Sequence, residues 1–203
     1  MTLIEVQKKL LSLKQPLIGT NDTAACLKID VSHASKILER LEKGGVVKKV
    51  IRGLWIFSNI IDPLLLPEAI TRPHSSYISL QTALYFHGMV SQIPETTYAV
   101  SLARTKKYKT PLGVISIHHI DPELFFGYEN INSTSIKMAT LEKAVFDILY
   151  LSQVRSLLFK KLPELEIPKQ FKEQKILEMI KKINSVRLRT IIKSKLEIIL
   201  KNK

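Results

Sequence analysis

The stretch that decides the fold of the N-terminal part, residues 20–57, reads TNDTAACLKIDVSHASKILERLEKGGVVKKVIRGLWIF. Its first segment predicts a short helix from about Asp22 to Leu27, which begins in a capping-prone run of threonine, asparagine and aspartate. After a tight connection, Ser32 is a suitable N-cap for a longer helix that runs to about Lys43. Two helices joined by so short a connection are typical of a helix-turn-helix.

The second half of this stretch predicts a β-hairpin. Gly44-Gly45 can end the preceding helix, because glycine takes a positive φ without strain. Strands are then expected from Val46 to Val50 and from Leu54 to Phe57, around an Arg52-Gly53 turn. We expect Trp55 and Phe57 to pin the hairpin to the helices.

Upstream, apolar residues recur at spacings of three and four, which indicates an amphipathic first helix. They are Leu3, Val6, Leu10 and Leu13. Pro16 and Gly19 are expected to end this helix. The order helix, helix, turn, helix, hairpin predicts a winged helix-turn-helix over about residues 1–60. A winged-helix unit that is used only for protein contacts is the alternative.

The third helix of this unit presents polar and basic side chains opposite its apolar stripe. Such a helix fits the major groove of double-stranded DNA, where side chains reach phosphates and base edges. The hairpin adds three cations that can hold the flanking phosphate backbone. The predicted DNA-binding residues are Ser32, His33, Ser35, Lys36 and Arg40 on the helix, and Lys48, Lys49 and Arg52 on the hairpin.

A domain boundary is expected between Ser58 and Pro73, where prolines bracket a short apolar run. The fold class is then α+β: the winged helix-turn-helix is followed, over residues 61–203, by a mixed α/β domain that ends in helices. The expected elements are a helix over 77–88, strands over 96–102, 113–120 and 124–128, a loop over 104–111, a helix that Thr140 can cap, and helices over 169–183 and from 186 onward. The last two belong to a helical C-terminal segment of about residues 156–203.

The net charge of +13 is unevenly distributed along the chain. Residues 1–60 carry ten lysines and arginines against five acidic residues, residues 61–155 carry eight against eight, and residues 156–203 carry thirteen against five. Two basic ends around a neutral middle suggest that the ends face a polyanion or an acidic partner. Lysine-rich helices that are merely solvated would show the same C-terminal excess.

No pattern in the sequence favours an enzyme, a metal centre or a cofactor. His118 and His119 are adjacent in an expected strand and therefore point to opposite faces, so they cannot chelate one metal as a pair. Glu142 and Asp147 are five residues apart on a helix, and we expect capping and solvation to explain both. His87 is expected to interact with the last carbonyls of its own helix. No glycine-rich phosphate loop, serine elbow or zinc-ligand spacing is present.

Two further basic segments are candidate contacts for nucleic acid or for a protein partner. The first is the expected loop that carries Arg104, Lys106, Lys107 and Lys109, and it could touch DNA, RNA or an acidic protein, or simply be solvated. The second is the C-terminal segment with Lys160-Lys161, Lys172, Lys175, Lys181-Lys182, Arg187 and Arg189, which could extend the DNA footprint or contact a protein partner. For that segment an apolar stripe along the last helix favours contact with a partner protein, because an open stripe needs to be covered.

Three stretches resemble the signatures of AbiEi-type antitoxins, the DNA-binding partners in type IV toxin–antitoxin pairs. The first is YISLQTAL at residues 77–84, continuing through His87-Gly88 to Gln92-Ile93-Pro94. The second is KKYKTPLG at residues 106–113, which leads into His118-His119. The third is ATLEKAVFD at residues 139–147, where the family often has proline in place of Leu141. With the N-terminal unit, the resemblance covers about residues 1–155.

The resemblance implies a bipartite protein that acts as a transcriptional repressor of its own operon and as an antitoxin. Its winged helix would bind DNA repeats upstream of the operon, and its second domain would counteract a co-encoded nucleotidyltransferase-like toxin. Two alternatives stay open: a plain winged-helix regulator without antitoxin activity, and a nucleic-acid-processing enzyme.

Composition predicts a cytoplasmic protein without a membrane segment. The single cysteine, Cys26, excludes an internal disulfide and a multi-cysteine metal site, which is typical of a reducing compartment. The longest apolar runs are much shorter than the roughly 20 residues that cross a bilayer. No signal peptide is expected, because the first residues lack a basic leader before an apolar run.

Overall fold

A computed structural model describes residues 2–57, 61–131, 135–153 and 163–201 of the chain, and they form an α+β protein with two β-sheets. In the described part the helices are α1 Leu3–Leu11, α2 Thr20–Leu27, α3 Val31–Lys43, α4 Leu66–Thr71, α5 Leu80–Phe86, α6 Leu141–Leu151, α7 Glu173–Lys181 and α8 Val186–Lys201. The strands are β1 Leu17–Gly19, β2 Lys48–Ile51, β3 Leu54–Ile56, β4 Ser76–Ile78, β5 Thr96–Ser101, β6 Lys106–Thr110, β7 Gly113–His119, β8 Tyr128–Asn130 and β9 Lys137–Ala139. Short 3₁₀ turns occupy Pro63–Leu65 and Pro122–Leu124.

Helices α1 to α3 pack together against a three-stranded antiparallel sheet with the order β1-β3-β2. Strand β1 was not expected from the sequence. Helix α2 begins at Thr20 rather than near Asp22, because the Asp22 carboxylate accepts a hydrogen bond from the Gly19 amide at 3.1 Å and so closes the first turn earlier. Helix α3 begins at Val31, one residue before the expected cap Ser32, and Asp30 takes the N-cap position.

The second sheet is mixed and has the strand order β6-β7-β5-β4-β9-β8. Strand β5 runs parallel to β7, and β4 runs parallel to β9, whereas the other neighbours are antiparallel. Helix α5 follows β4 directly and contacts α6 and β5.

The helix expected over Tyr77–Gly88 is wrong in its first part. Tyr77 and Ile78 lie in β4, where they pair with Val100 and Ala99 of β5, and the helix begins only at Leu80. Burial explains the error, because a central strand that is covered on both faces is continuously apolar and its pattern is indistinguishable from that of a buried helix.

The loop expected over Arg104–Pro111 is also wrong in its central part. Residues 106–110 form β6, which pairs with β7 from Lys106 opposite Ile117 to Thr110 opposite Gly113. Three lysines in five positions gave this strand the composition of a loop. The strand expected at Leu124–Tyr128 is displaced as well, because a 3₁₀ turn ends at Leu124 and β8 begins at Tyr128.

The C-terminal helices pack onto the second sheet's core rather than leaving an apolar stripe open. Helix α7 begins at Glu173, later than the expected Lys169, and α8 contacts both α6 and α7. Ile192 and Leu196 of α8 are fully buried. The argument for a partner protein from an open stripe is therefore wrong. Lys160-Lys161 lie outside the described residues.

Strand β3 contributes to two hydrophobic cores. Trp55 packs among the helices of the N-terminal part, with Leu38 and Leu41 of α3, as expected from the sequence. Its neighbours Leu54 and Ile56 belong to the larger core beneath the second sheet. Trp55 Nε1 also donates a hydrogen bond to Thr20 Oγ1 at 3.0 Å, which holds β3 to the start of α2. The second core therefore extends across the boundary expected near residue 60, and the division into two domains stays a prediction.

Helix α6 carries a fully buried ion pair, which corrects the expectation that solvation explains Asp147. Lys143 Nζ lies 2.7 Å from Asp147 Oδ1, and both side chains have no exposed surface. Asp147 Oδ2 accepts hydrogen bonds from Tyr77 OH at 3.1 Å and from Ser79 Oγ at 2.8 Å, while Lys143 Nζ donates to the Leu124 carbonyl at 2.7 Å. The cluster therefore joins α6 to β4 and to the turn before β8.

Burial acts on both charges of this pair in the direction that favours neutral side chains. Loss of hydration raises the pKa of Asp147 and lowers the pKa of Lys143, and the mutual attraction of the two groups opposes both shifts. Glu142 of the same helix is buried too, and it accepts a hydrogen bond from the Lys172 amide at 3.0 Å, which holds the approach to α7. Glu142 does lie in the first turn of α6, but the expectation that solvation explains it is wrong.

None of the helices in the described ranges is long and apolar enough to cross a membrane.

We predict that removal of one partner of the Lys143–Asp147 pair is more harmful than removal of both charges. Lys143→Met or Asp147→Asn alone leaves a buried charge without its counter-ion, which costs about 3–5 kcal/mol. The double variant should unfold at a higher denaturant concentration than either single variant, because no uncompensated charge remains. Chemical denaturation of the four proteins gives this coupling. Additive losses would show that the two charges do not stabilise one another.

Candidate nucleic-acid interface

Helix α3 divides its side chains between a core and an exposed polar face. Ala34, Ile37, Leu38 and Leu41 are buried because they recur every three or four residues on the side that faces α1 and α2. On the other side, Ser32, His33, Lys36, Glu39 and Arg40 are exposed, and Ser35 is half-buried. The structure thus places all five predicted residues of this helix outside its apolar stripe.

The hairpin residues Lys48, Lys49 and Arg52 differ in their surroundings. Lys48 is exposed, whereas Lys49 is half-buried, with its Nζ atom 5.2 Å from the centre of the Trp55 ring. The Lys49 amide donates a hydrogen bond to Glu42 Oε1 at 2.9 Å, which fixes the start of β2 beside the last turn of α3. Lys49 is therefore held against the protein more closely than its sequence position suggested.

Arg52 lies exposed at the turn between β2 and β3. The turn is short, and Gly53 takes a φ of +83°, a backbone conformation that residues other than glycine adopt only with strain. The Gly53 carbonyl accepts a hydrogen bond from the Thr20 amide at 2.9 Å. The hairpin tip is thus tied to the start of α2.

The basic segment that was expected to be a loop lies beside this hairpin. Arg104, Lys106, Lys107 and Lys109 are all exposed, and β6 contacts β2. Lys106 Nζ lies 4.9 Å from the ring centre of Tyr108, which is half-buried against the second core. Two groups of cations that are more than fifty residues apart in sequence therefore share one region of the surface.

Few of these cations are neutralised by the protein itself. The ion pairs among the described residues are Arg72–Asp22, Lys137–Glu68 and Lys143–Asp147, and none of them involves α3, β2 or β6. Exposed cations that lack an intramolecular counter-ion attract phosphates, and the attraction is sensitive to salt. Glu39 is the exposed acidic residue on α3, and its carboxylate lies 3.5 Å from Ser35 Oγ.

The C-terminal candidates Arg187 and Arg189 have different environments. Arg187 is exposed near the start of α8. Arg189 Nη1 donates a hydrogen bond to the Ile183 carbonyl at 2.8 Å, just beyond the end of α7. This contact gives Arg189 a structural role in the connection between the last two helices.

The histidines of the second sheet occupy separate sites. His118 is buried and His119 is exposed, as the alternation of a strand predicts. Burial lowers the pKa of His118 to about 4, and its Nε2 atom lies 2.9 Å from Ser116 Oγ. His87 Nε2 lies 2.8 Å from the Ala139 carbonyl of β9 rather than from a carbonyl of its own helix, which corrects the expectation for that residue.

No three histidine, cysteine or carboxylate side chains within the described ranges lie close enough to hold a metal ion. Lys143, Asp147 and Tyr77, whose pKa values are all perturbed, form a cluster that is enclosed in the core. Its contacts hold secondary-structure elements together, and a substrate could not reach them.

A groove of about 280 Å³ runs between α4 and β4, and the start of β1 also lines it. Its polar groups are largely paired with one another. Glu68 accepts hydrogen bonds from Lys137 Nζ at 2.9 Å and from the Ser76 amide at 2.7 Å. Burial raises the pKa of Glu68, but these hydrogen bonds outweigh it and leave the pKa below its ordinary value. The groove therefore holds a structural network, and the exposed cations of α3, β2 and β6 form the better candidate site.

In comparisons with known proteins, no family model matches the chain, and a search of curated proteins finds no match.

We predict that the free energy of unfolding decreases as the pH falls from about 6.5 to about 4, because the buried His118 stays neutral in the folded protein. In this range the unfolded chain takes up a proton at this position while the folded protein does not, so the free energy of unfolding falls by about 1.4 kcal/mol per pH unit. His118→Gln should remove this contribution, and denaturation at several pH values measures it.

His119→Gln is the matched control, because the neighbouring side chain is exposed. It should retain the pH dependence of the unchanged protein. An equal loss of pH dependence in both variants would contradict the assignment to His118.

Proposed function

We propose that residues 1–60 form a winged helix-turn-helix that binds double-stranded DNA. The observation that carries the proposal is the exposed polar face of α3, which lies beside a basic hairpin that Glu42 anchors to the same helix. The succession α1, β1, α2, α3, β2, β3, with β3 central in a three-stranded antiparallel sheet, supports this reading.

In the proposed complex, α3 enters the major groove. The helix has 13 residues, a length of about 20 Å, and the groove is about 12 Å wide and admits a helix. Ser35, Lys36 and Arg40 would face the base edges, and Ser32 and His33 would lie at the helix N-terminus. Lysine and arginine can donate two hydrogen bonds to guanine, which makes Lys36 and Arg40 the main candidates for sequence discrimination.

Phosphate contacts come from the hairpin in this proposal. Lys48 and Arg52 are exposed and can bind the backbone directly. Lys49 is stacked on Trp55, so its role is to add positive potential close to the DNA rather than to reach far from the protein. These contacts position the protein and carry no sequence information.

The biological role that we propose rests on the resemblance to AbiEi-type antitoxins. The protein would be cytoplasmic and would not be an enzyme. It would repress its own operon, and the part that follows the winged helix would counteract a co-encoded nucleotidyltransferase-like toxin. A plain regulator without antitoxin activity is the second candidate. The same cationic surface supports this second candidate, because DNA binding alone accounts for the surface and no toxin is needed to explain it.

We predict that Lys36→Ala/Arg40→Ala abolishes sequence preference. Specific DNA-binding proteins prefer their site by about a thousandfold or more over other DNA. The unchanged protein should show this preference for the DNA upstream of its own gene over a scrambled duplex, and the variant should bind both duplexes alike. Fluorescence anisotropy at two salt concentrations measures both affinities.

A variant with the same loss of charge elsewhere tests whether the effect is local. Lys193→Ala/Lys201→Ala removes two exposed lysines from α8, which packs against α6 and α7 rather than in the N-terminal part. This control should keep the sequence preference. If the Lys36→Ala/Arg40→Ala variant also kept the sequence preference, α3 would not recognise the DNA sequence. The N-terminal winged helix would then be a module for protein contacts.

The antitoxin role predicts rescue in co-expression. Growth arrest caused by the product of the neighbouring reading frame should be relieved by this protein and also by its Lys36→Ala/Arg40→Ala variant, because neutralisation is assigned to the part outside the winged helix. Colony counts after induction measure the rescue. Specific DNA binding without rescue would identify a plain regulator.

A further inference from the structure

We infer that β6 is a second DNA-contacting element, which extends the footprint of the N-terminal unit along the phosphate backbone. This inference rests on the proposed function, because it concerns the same bound duplex. It adds Lys106, Lys107 and Lys109 as phosphate contacts, and these residues lie outside the proposed winged helix.

The first step is the position of the strand. Strand β2 is the terminal strand of the first sheet, and β6 is the terminal strand of the second. The Cα atoms of the two strands approach within 8 Å, although the strands belong to different sheets. A duplex carries one negative charge for about every 1.7 Å along its axis. DNA whose backbone lies on Lys48 of β2 therefore has phosphates within reach of the long side chains of β6.

The second step is the charge of the strand. Lys106, Lys107 and Lys109 are exposed, and Arg104 precedes them. Lys107 and Lys109 lie on one face of the strand, and Lys106 lies on the other face beside Tyr108. No acidic residue occurs between Ser101 and Ile120 in the sequence. The ion pairs of the described residues leave all three lysines without an acidic partner. The strand therefore presents a net positive charge that nothing in its own segment offsets.

The third step is the type of partner. The centres of protein–protein interfaces are depleted in lysine and enriched in aromatic residues, methionine and arginine. Strand β6 has the opposite composition, because its exposed side chains are lysines and its one aromatic residue, Tyr108, is half-buried beneath Lys106. A phosphate backbone suits this surface better than an acidic protein.

Lysines also protect the edge of a sheet against pairing with another chain. That role and DNA binding make different predictions. Edge protection concerns self-association and has no effect on how DNA affinity depends on salt. A phosphate contact contributes directly to that dependence.

The test is the triple variant Lys106→Gln/Lys107→Gln/Lys109→Gln of the full chain, with a random-sequence DNA duplex as the probe. We expect the slope of log K against log salt to become shallower by about 2 to 3, since each lost phosphate contact removes about 0.9. Affinity should fall by the same factor for the random duplex and for the DNA upstream of the gene, so that sequence preference is kept.

The matched control is Lys169→Gln/Lys193→Gln/Lys201→Gln, which removes the same charge from exposed positions before α7 and on α8 that are not candidate contacts. Its salt slope should stay close to that of the unchanged protein. Circular dichroism and sedimentation show whether both variants are folded and equally dispersed, so that self-association is separated from a loss of DNA contacts.

Each other outcome overturns the inference in a distinguishable way. If the β6 variant and the control have the same slope while Lys36→Ala/Arg40→Ala loses sequence preference, the proposed function stands and β6 does not contact DNA. If the β6 variant binds DNA normally but loses rescue in co-expression, its lysines contact a protein partner. If the unchanged protein binds no duplex, the proposed function fails, and the role of β6 fails with it.

Discussion

The burial of both faces of β3 is the constraint on which the rest of the structure depends. Trp55 is packed among α1 to α3, while Leu54 and Ile56 are packed in the core of the second sheet. A strand of three residues with all side chains buried cannot shift its register by one position, because that would exchange the residues of the two cores. The N-terminal helices are consequently fixed relative to the second sheet, and β2 is held beside β6.

The second sheet is tied to its helices by polar contacts as well as by apolar packing. The Lys143–Asp147 pair loses its hydration. The mutual attraction of the two charges compensates for this loss, together with three hydrogen-bonding groups of fixed geometry: the Tyr77 and Ser79 hydroxyls and the Leu124 carbonyl. A buried pair of this kind adds little net stability compared with apolar side chains, but it strongly disfavours arrangements that separate its partners. It therefore specifies how α6 lies against β4, and it is unsuited to catalysis because it is enclosed.

The candidate site was only partly predictable. The spacing of Ile37, Leu38 and Leu41 was sufficient to identify which side of α3 is exposed, because a helix repeats every 3.6 residues. The same reasoning failed for β6, because three lysines hid the alternation of a strand in which only Tyr108 and Thr110 are half-buried. The resemblance to AbiEi-type antitoxins included this basic segment, but it gave no indication that the segment lies next to β2.

The sequence by itself determined α1, α3 and the Gly53 turn, because these depend on contacts between residues that are close in the chain. It did not predict β1, which pairs with the distant strand β3. Tertiary structure alone decided that Tyr77 lies in a strand, that Asp147 is buried and that β2 and β6 share a surface. Each of these outcomes depends on partners that are tens of residues away, such as Val100 for Tyr77 and Ser79 for Asp147. Local propensity and periodicity carry no information about such partners, because burial is set by the whole fold.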